Sequence, residues 1–549
     1  MKKVLAVILF CLSFPFLAKA QESNKFGAGE IHGNFQMMAQ NYLVDSTIGA
    51  KEVSEKIRMN SFANLNYING NFKAGMRYES YEKALLGFDP RYNGSDLTYR
   101  YATYTNDDLE FTIGNYYEQF GSGLIFRSYE ERGLGIDNAM DGIRVKYKPT
   151  AGVYLKSVIG KQRFYFAKGE GIVRGLDAEF NLNEILSTFL PEFNPEKARY
   201  TYILGGSMVG KYQADNDPIR ILPENVAAFA GRFNFISDKF NFYSEYAYKI
   251  NDPSLTNGFI YKKGEALFVS ANYSVKGFSL SASAKRVDNM DFRSDRNADV
   301  NNLTMSFLPA ISKQHTYALP SFYPYATQPL GEIGEQFELS YNFKKGTKLG
   351  GKYGTLVTIN FSNANNLDTT QTGNEQGYSA AFFSKGKMLL YRDLNFEVVK
   401  KISPKLKTTY TYMYQVFNKD KVQNVSGFGT VFAHIAVFEM QYKINSKKTF
   451  RAELQSMRTK QDFGDWAVGL AEYTVSPHWF FAVIDQFNYG NAIAEKRAHY
   501  YSGSFGYTKN ATRFIVGYGK QREGFLCVGG VCRLIPASYG LSLAISSTF

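Results

Sequence analysis

Histidines are the residues of this chain best suited to acid–base or metal chemistry, and they are scattered along it. They are His32, His315, His434, His478 and His499. None stands in a Gly-x-Ser-x-Gly pattern, which presents a nucleophilic serine, or in a His-Glu-x-x-His pattern, which binds zinc. We therefore expect no catalytic residues, no cofactor and no metal site, although partners distant in sequence could still meet in the fold.

Residues 1–20 have the pattern of a secretory signal peptide. Lys2 and Lys3 precede an apolar stretch over 4–17, and Ala18-Lys19-Ala20 is a small-x-small cleavage site. A retained membrane anchor is the alternative, but the stretch is too short to span a bilayer. We expect residues 21–549 to be exported as a single domain, and they contain no apolar run long enough for a membrane helix.

Two cysteines near the C-terminus form a candidate disulfide. Cys527 and Cys532 flank Gly529-Gly530, which can turn the chain tightly enough to bring the thiols together. An exported compartment permits disulfides, so the spacing predicts a clasp on the loop before the last strand. A metal pair is a weaker alternative because no histidine is near, and a redox role would need a low-pKa thiolate.

Apolar and polar residues alternate with a period of two to the end of the chain, which predicts strands throughout. Residues 72–79 carry Phe72, Ala74, Met76 and Tyr78 on one face and Lys73, Gly75, Arg77 and Glu79 on the other. The segments often run roughly 10–14 residues, whereas soluble strands are usually about five or six. Aromatic residues make up 16% of the chain and cluster toward segment ends, and the chain closes on Phe549. This pattern favours an all-β transmembrane barrel in a Gram-negative outer membrane over a soluble sandwich.

Connection lengths allow a strand count. Short turns such as Asn69-Gly70-Asn71 alternate with long polar loops, as in outer-membrane barrels. Reading 289–331 as one loop and 376–401 as one long strand gives a single antiparallel barrel of about 24 strands, with 22–26 open. Strands begin near Phe26, so we expect no separate N-terminal plug domain.

The polar faces of these strands mix positive and negative charges. The candidate lumen-lining residues include Lys73, Arg77, Glu79, Arg100, Glu245, Lys249, Arg451 and Glu453. Cross-strand pairs that brace a wet barrel wall are the simpler interpretation, and a lining that selects solutes is the alternative. The net charge of +13 could favour anionic solutes or lipid headgroups, but no basic patch suggests nucleic acid.

A barrel this wide would leak unless something fills it, since 22-stranded barrels already hold a plug. Candidate plug segments are 119–140, 183–198 and 289–331. The last is too apolar for a freely solvated loop, and 183–198 could form a short helix on the periplasmic side. Candidate plug or constriction residues are Arg127, Glu130, Arg132, His315, Tyr317, Tyr323 and Tyr325. A partner protein could equally close the pore.

Three features carry a resemblance to a known family. They are the stretch 134–145, the Tyr323-Pro324-Tyr325 loop and the Cys527–Cys532 clasp. With them the chain resembles a family of uncharacterised Bacteroidota outer-membrane β-barrel proteins. The resemblance implies fold and location only, and it assigns no catalytic residue. Within 134–145, Asp141 and Arg144 are close enough in sequence to pair.

Two functions fit these observations. The first is a porin-like or gated channel for small solutes, embedded among outer-membrane lipid and lipopolysaccharide. The second is a structural or assembly subunit of an outer-membrane complex, with a sealed lumen and partner proteins at its rims. A continuous polar path through the lumen would favour the channel, and an exposed apolar patch outside the lipid band would favour the subunit.

Overall fold

The computed structural model describes residues 29–528 and 531–549. The predicted signal peptide at 1–20 and the predicted first strand near Phe26 lie outside these residues. A single closed sheet of 24 antiparallel strands dominates the fold, so the predicted all-β barrel and its strand number are confirmed.

The barrel strands follow chain order. They are β1 Glu30–Tyr42, β2 Ile57–Asn69, β3 Phe72–Glu82, β4 Gly94–Thr105, β5 Leu109–Tyr116, β6 Met140–Thr150, β7 Val153–Phe164, β8 Ala167–Asn181, β9 Tyr200–Tyr212, β10 Asn225–Ser237, β11 Phe240–Lys249, β12 Gly264–Val275, β13 Phe278–Asp288, β14 Gly331–Phe343, β15 Thr355–Leu367, β16 Lys385–Lys401, β17 Leu406–Asn418, β18 Thr430–Lys443, β19 Lys448–Arg458, β20 Trp466–Val475, β21 Trp479–Asn488, β22 His499–Lys509, β23 Thr512–Gln521 and β24 Ser538–Thr548.

Pairing of the first and last strands closes the barrel. Asn34 lies opposite Thr548 and Tyr42 opposite Gly540, and the backbone N–H of Phe549 donates to the carbonyl of Gly33. Closure leaves the sheet without an edge, so every barrel strand has hydrogen-bonded neighbours on both sides. The predicted long strand over 376–401 is wrong in part, because the barrel strand begins at Lys385 and residues 377–379 belong to a small separate hairpin.

Successive side chains of a strand alternate between the two faces of the wall. In β3, Met76 and Tyr78 are 46% and 49% exposed, whereas Arg77 and Glu79 are 3% and 1% exposed. The apolar residues face outward and the charged pair faces the lumen. The period-two pattern therefore sets which residues can meet inside the barrel.

Two rims differ in the length of their connections. One rim has tight turns, such as Gly70–Asn71 between β2 and β3, and it also carries helix α1, Leu182–Phe189. Asn181 caps this helix by accepting hydrogen bonds from the N–H groups of Asn183 and Glu184. The short helix predicted as one possibility for 183–198 is therefore present on the rim of tight turns. Phe189 is 75% exposed, so the helix lies at the rim and does not fill the lumen.

The opposite rim carries the long loops. It holds helix α2 Lys419–Val422 and three small hairpins, formed by Glu130–Glu131 with Ile136–Asp137, Thr370–Gly373 with Gly377–Ser379, and Gly524–Val528 with Val531–Ile535. The last hairpin places Cys527 opposite Cys532 and contains the predicted disulfide between them. Among the described residues, no helix is long and apolar enough to cross a membrane.

Candidate functional site

Two loops of the long-loop rim fold into the barrel. We call residues 117–139 the first inner segment and residues 289–330 the second inner segment. Both contribute fully buried apolar side chains to one cluster with the lumen face of the wall. Its members include Phe120, Leu124, Ile125, Phe126, Met290, Phe292 and Met305 from the segments and Val158, Val173, Val209, Ala228, Ala247 and Ala266 from the wall. Small wall residues leave room for the large side chains of the segments, so the wall is shaped to hold them.

A second apolar cluster holds the C-terminal half of the second inner segment. Leu319, Tyr323 and Tyr325 pack against the wall of β15–β20, with Phe417 and Tyr391 among their contacts. The rings of Tyr325 and Tyr391 stack with their centroids 5.0 Å apart. Burial raises the pKa of the Tyr323 and Tyr325 phenols, and the neighbouring Asp462 and Glu332 carboxylates raise it further. Both phenols therefore remain neutral hydrogen-bond donors.

Buried lysines of the wall bind the second inner segment. Lys285 Nζ lies 2.7 Å from Glu332 Oε1 and donates to the carbonyl of Pro309 at 2.6 Å and to Thr327 Oγ1 at 2.7 Å. Lys249 Nζ donates to the carbonyl of Asp291 at 2.5 Å. A buried ammonium needs all its donors satisfied, so these contacts specify where the segment lies.

The first inner segment is held by a buried ionic cluster. Arg163 lies 2.7 Å from Glu79 and 2.6 Å from Asp137. Arg77 lies 2.7 Å from Glu79 and also pairs with Asp137. Tyr117 Oη donates to Asp137 at 2.9 Å. Oppositely charged groups face one another throughout, and breaking such a cluster would leave an unpaired buried charge.

The structure brings most predicted plug residues into contact with the wall. His315 Nε2 lies 2.6 Å from Asp393 Oδ2, and Tyr317 Oη lies 3.4 Å from Glu439. Tyr323 Oη donates to Asp462 at 3.1 Å. Arg127 instead contacts the second inner segment, with its guanidinium 3.9 Å from the centre of the Phe307 ring. Glu130 lies 3.0 Å from Arg77, and Arg132 donates to Gln36 Oε1 at 2.8 Å.

Several predicted lining residues also face the lumen. Glu245 Oε2 accepts a hydrogen bond from the N–H of Ser122 at 2.7 Å. Arg451 lies 2.9 Å from Glu439 and 2.8 Å from Glu472, and it also pairs with Glu453. Lys73 is opposite the buried Thr103 near the tight-turn rim. The Arg451 group braces three neighbouring strands, which matches the bracing interpretation of the mixed charges.

The prediction that Arg100 lines the lumen is wrong, because this side chain faces outward. A register shift beside Tyr78 places Leu97 opposite Tyr78 and Arg100 opposite the outward-facing Met76. Its side chain is 54% exposed and lies 3.5 Å from Asp141. The β-bulge adds one residue to β4. The side chains of β4 on the two sides of the bulge therefore alternate out of step with each other.

The predicted pairing of Asp141 with Arg144 is also wrong. Three residues apart on one strand, the two side chains point to opposite faces. Asp141 pairs outside the barrel with Lys168 at 2.7 Å, whereas Arg144 pairs inside it with Glu110 at 2.6 Å.

Sequence reasoning missed Lys285, Arg163 and Asp393. Lys285 does have a signal, since it follows Ser279, Ser281 and Ser283 on the same face of its strand. A single cation at the end of a row of small inward residues is a place where another segment can dock. Arg163 and Asp393 carry no comparable signal, because their partners are distant in sequence.

One side of the lumen remains open beside the two segments. Most lumen-facing side chains of β22, β23, β24, β1 and β2 are half-buried or exposed at mid-strand, with Phe62 of β2 buried beneath Arg132, and we call this side the open sector. They include Ser502, Ser504, Ser542, Ser546, Asn34, Gln36, Asn64 and Asn66. A cavity of about 370 Å³ is lined there by the four amide residues with Glu130 and Arg132.

The end of the open sector at the long-loop rim is covered by other residues. Tyr42 and Ser538 are each 4% exposed, and the Arg522 guanidinium lies 3.5 Å from the centre of the Phe322 ring. The disulfide hairpin reaches the second inner segment, where Asn301 Nδ2 donates to the carbonyl of Cys532 at 2.9 Å. Loops of the long-loop rim thus close that end of the open sector.

Solved structures similar to this chain include large barrels of low sequence identity. The siderophore receptor PirA from Pseudomonas aeruginosa has a TM-score of 0.41 at 9% identity, covering 96% of this chain and 81% of that chain. The copper transporter OprC has a TM-score of 0.40 at 9% identity, covering 96% and 84%. The iron transporter FrpB from Neisseria meningitidis has a TM-score of 0.38 at 9% identity, covering 95% and 82%. Likenesses this weak give no argument about what this chain binds.

No curated protein matches the sequence. The match to a family model is complete, since it extends over residues 1–549. The chain belongs to DUF6029, a family of unknown function.

Proposed function

We propose that this protein is an outer-membrane channel for small polar solutes, exported by its signal peptide and gated by its own loops. One observation carries the proposal: the two inner segments fill one side of the lumen and leave the open sector beside them. A 24-stranded barrel without a filling would pass solutes freely, because 16–18 strands already leave an aqueous channel.

The outward face suits a lipid environment. Met76, Tyr78, Phe229 and Leu454 are among the exposed large apolar side chains of the strands. Such an apolar surface can face lipid. Because the barrel has no edge strands, the backbone N–H and C=O groups of its wall can all form hydrogen bonds between strands inside a bilayer. Outer-membrane lipid and lipopolysaccharide are accordingly its proposed surroundings.

The register offers a clean test of the gate. Tyr116 lies opposite Met140 and Asp288 lies opposite Gly331, so an Asn-Gly turn can replace residues 117–139 or 289–330 without displacing a strand. We expect the intact barrel to give low or intermittent conductance in a planar bilayer. Each replacement should give a larger and steadier current.

A matched control shortens another loop of the same rim. Residues 489–497 contact the neighbouring connection 459–465 and the end of β19, as in Gly490 with Asp465 and Tyr489 with Arg458. An Asn-Gly replacement there should leave the current of the intact barrel unchanged. If both inner-segment replacements stay silent while the barrel is folded, the channel proposal fails.

A second candidate is the assembly subunit with a sealed lumen. It is favoured by Ile219 and Ile221 in the outer loop 213–224, which are 85% and 88% exposed. Apolar side chains at a water-facing rim fit a protein partner. Silent replacements in the conductance test would support this candidate over the channel.

A further inference from the structure

The cavity of the open sector is lined by amides with unused hydrogen-bonding atoms. Asn34 Oδ1 accepts from Asn64 Nδ2 at 2.8 Å, and Asn66 Oδ1 accepts from Tyr101 Oη at 3.1 Å. Gln36 Oε1 accepts from Arg132. Within the described residues, the amino groups of Asn34, Gln36 and Asn66 and the oxygen of Asn64 take no side-chain partner. The cavity thus presents donors and an acceptor side by side.

Hydroxyl groups continue this surface across the neighbouring strands. Gln36 lies opposite Ser546 and Gln40 opposite Ser542. Ser542 in turn lies opposite Gly517, and Gly517 opposite Ser504. Each hydroxyl can both donate and accept. The result is a polar stripe of small uncharged side chains at mid-strand, and Arg513 borders it toward the tight-turn rim, opposite Ser546.

The charged groups at the cavity neutralise one another. Arg132 Nε lies 2.5 Å from Glu130 Oε1, so the pair offers little net charge to a solute. The opposite wall differs, since it carries buried ions such as Lys249 and Lys285. At the level of the cavity, an ion would lose hydration without a compensating net charge. A neutral solute would exchange its water for hydroxyl and amide groups.

We propose that this cavity binds a neutral polyhydroxylated solute, a saccharide, as it passes along the open sector. Its volume of about 370 Å³ lies within the ordinary range of ligand pockets, about 300–1,000 Å³. The proposal rests on the channel function, because it names the substrate class of that same lumen.

Calorimetry of the full chain in detergent micelles tests the site separately from conductance. Raffinose, an uncharged trisaccharide, is the probe, and glucuronate is its charged counterpart. We expect raffinose to bind and the double variant Asn64→Leu/Asn66→Leu to weaken it about tenfold or more, since two hydrogen-bonding positions are lost. Glucuronate should bind at least about tenfold more weakly than raffinose.

Two further variants test whether the loss of raffinose binding comes from the cavity itself. Asn272→Leu makes the same substitution on the opposite wall, where Asn272 pairs with Ser281, and it should leave raffinose binding unchanged. Asn66→Gln should retain part of the binding. Heat-modifiable gel mobility shows whether each variant is folded.

Failure of this proposal differs from failure of the channel. Absent raffinose binding, or equal binding of glucuronate, would overturn the saccharide site while conductance could still stand. Raffinose binding to a barrel that never conducts would overturn the channel and leave the site as a receptor.

Discussion

Lys285 and Glu332 form a fully buried ion pair where the second inner segment leaves and re-enters the wall. Their charged atoms lie 2.7 Å apart, with side chains 0% and 1% exposed. Lys285 also holds Pro309 and Thr327 of the segment, and Glu332 accepts from Tyr325 and from the N–H of Gln328. The pair therefore fixes the middle of the segment at Pro309 and its C-terminal end at residues 325–328.

Removing one member of this pair should destabilise the protein strongly. Lys285→Met leaves the Glu332 carboxylate buried without a counter-ion, which typically costs about 3–5 kcal/mol. Urea unfolding in detergent micelles would measure the loss, and trypsin should cut faster at Lys313 of the loosened segment. The double variant Lys285→Met/Glu332→Gln should recover much of the stability. Lys345→Met, at an exposed site, is the control, and a Lys285→Met protein as stable as this control would contradict the assignment.

A methyl group at Gly121 should loosen the first inner segment. The residue has φ +53°, and an added Cβ would lie 2.5 Å from Glu245 Oε1, displacing the carboxylate that accepts from Ser122 N–H. Gly427→Ala is the control, since Gly427 also has positive φ (+89°) but nothing within 4 Å of an added Cβ. Both variants should lose about 1–2 kcal/mol to the left-handed backbone. Only Gly121→Ala should lose a further ~1–3 kcal/mol for the broken buried contact.

Thermal unfolding of the two glycine variants and proteolysis at Arg127 would measure this difference. Equal losses of stability for Gly121→Ala and Gly427→Ala would show that the Glu245 contact does not hold the segment.

Acid should weaken one outer loop through Asp89. A hydrogen bond from the Arg91 side chain lowers the pKa of Asp89 to about 2, from about 3.9 in an unfolded chain. The lowered pKa means that this group stabilises the fold above about pH 4 and that the contribution disappears as the pH falls through 2. Tyr165 joins this loop to the second inner segment, because its hydroxyl oxygen lies 3.0 Å from Asp89 Oδ2 and 2.9 Å from Asn302 Oδ1.

The measurement is the melting temperature from pH 6 to pH 2, for the unaltered protein and for Asp89→Asn. The difference in melting temperature between the unaltered protein and Asp89→Asn should be largest above pH 4 and should shrink toward pH 2. An advantage that is constant over the range would exclude ionisation of Asp89 as its source.

Reduction of the disulfide should loosen the outer hairpin and leave the barrel intact. A disulfide between Cys527 and Cys532 closes a short loop, for which the chain-entropy model gives about 2 kcal/mol. Cys527→Ser/Cys532→Ser should raise trypsin cleavage after Arg533 while the heat-modified gel mobility stays the same. Unchanged cleavage would mean that contacts such as Asn301 with the Cys532 carbonyl hold the hairpin by themselves.

Much of the wall could be predicted from the sequence. Alternation is local, so Arg77 and Glu79 are predicted and found on the lumen face, and the short turns lead to the observed 24 strands. Arg100 shows the limit of the method. One bulge beside it turned a charged residue outward, and a bulge is set by strand pairing, which a local period does not reveal.

The sequence by itself determined the class of fold, because a period of two over the whole chain allows only strands with one apolar and one polar face. Only the tertiary structure decided what fills the lumen. Ser122 meets Glu245 and His315 meets Asp393 across long stretches of chain, and such contacts depend on how the closed wall places distant strands. The physical reason is that strand patterning acts between neighbours two residues apart, whereas docking of a loop depends on the shape and charge of the whole lumen.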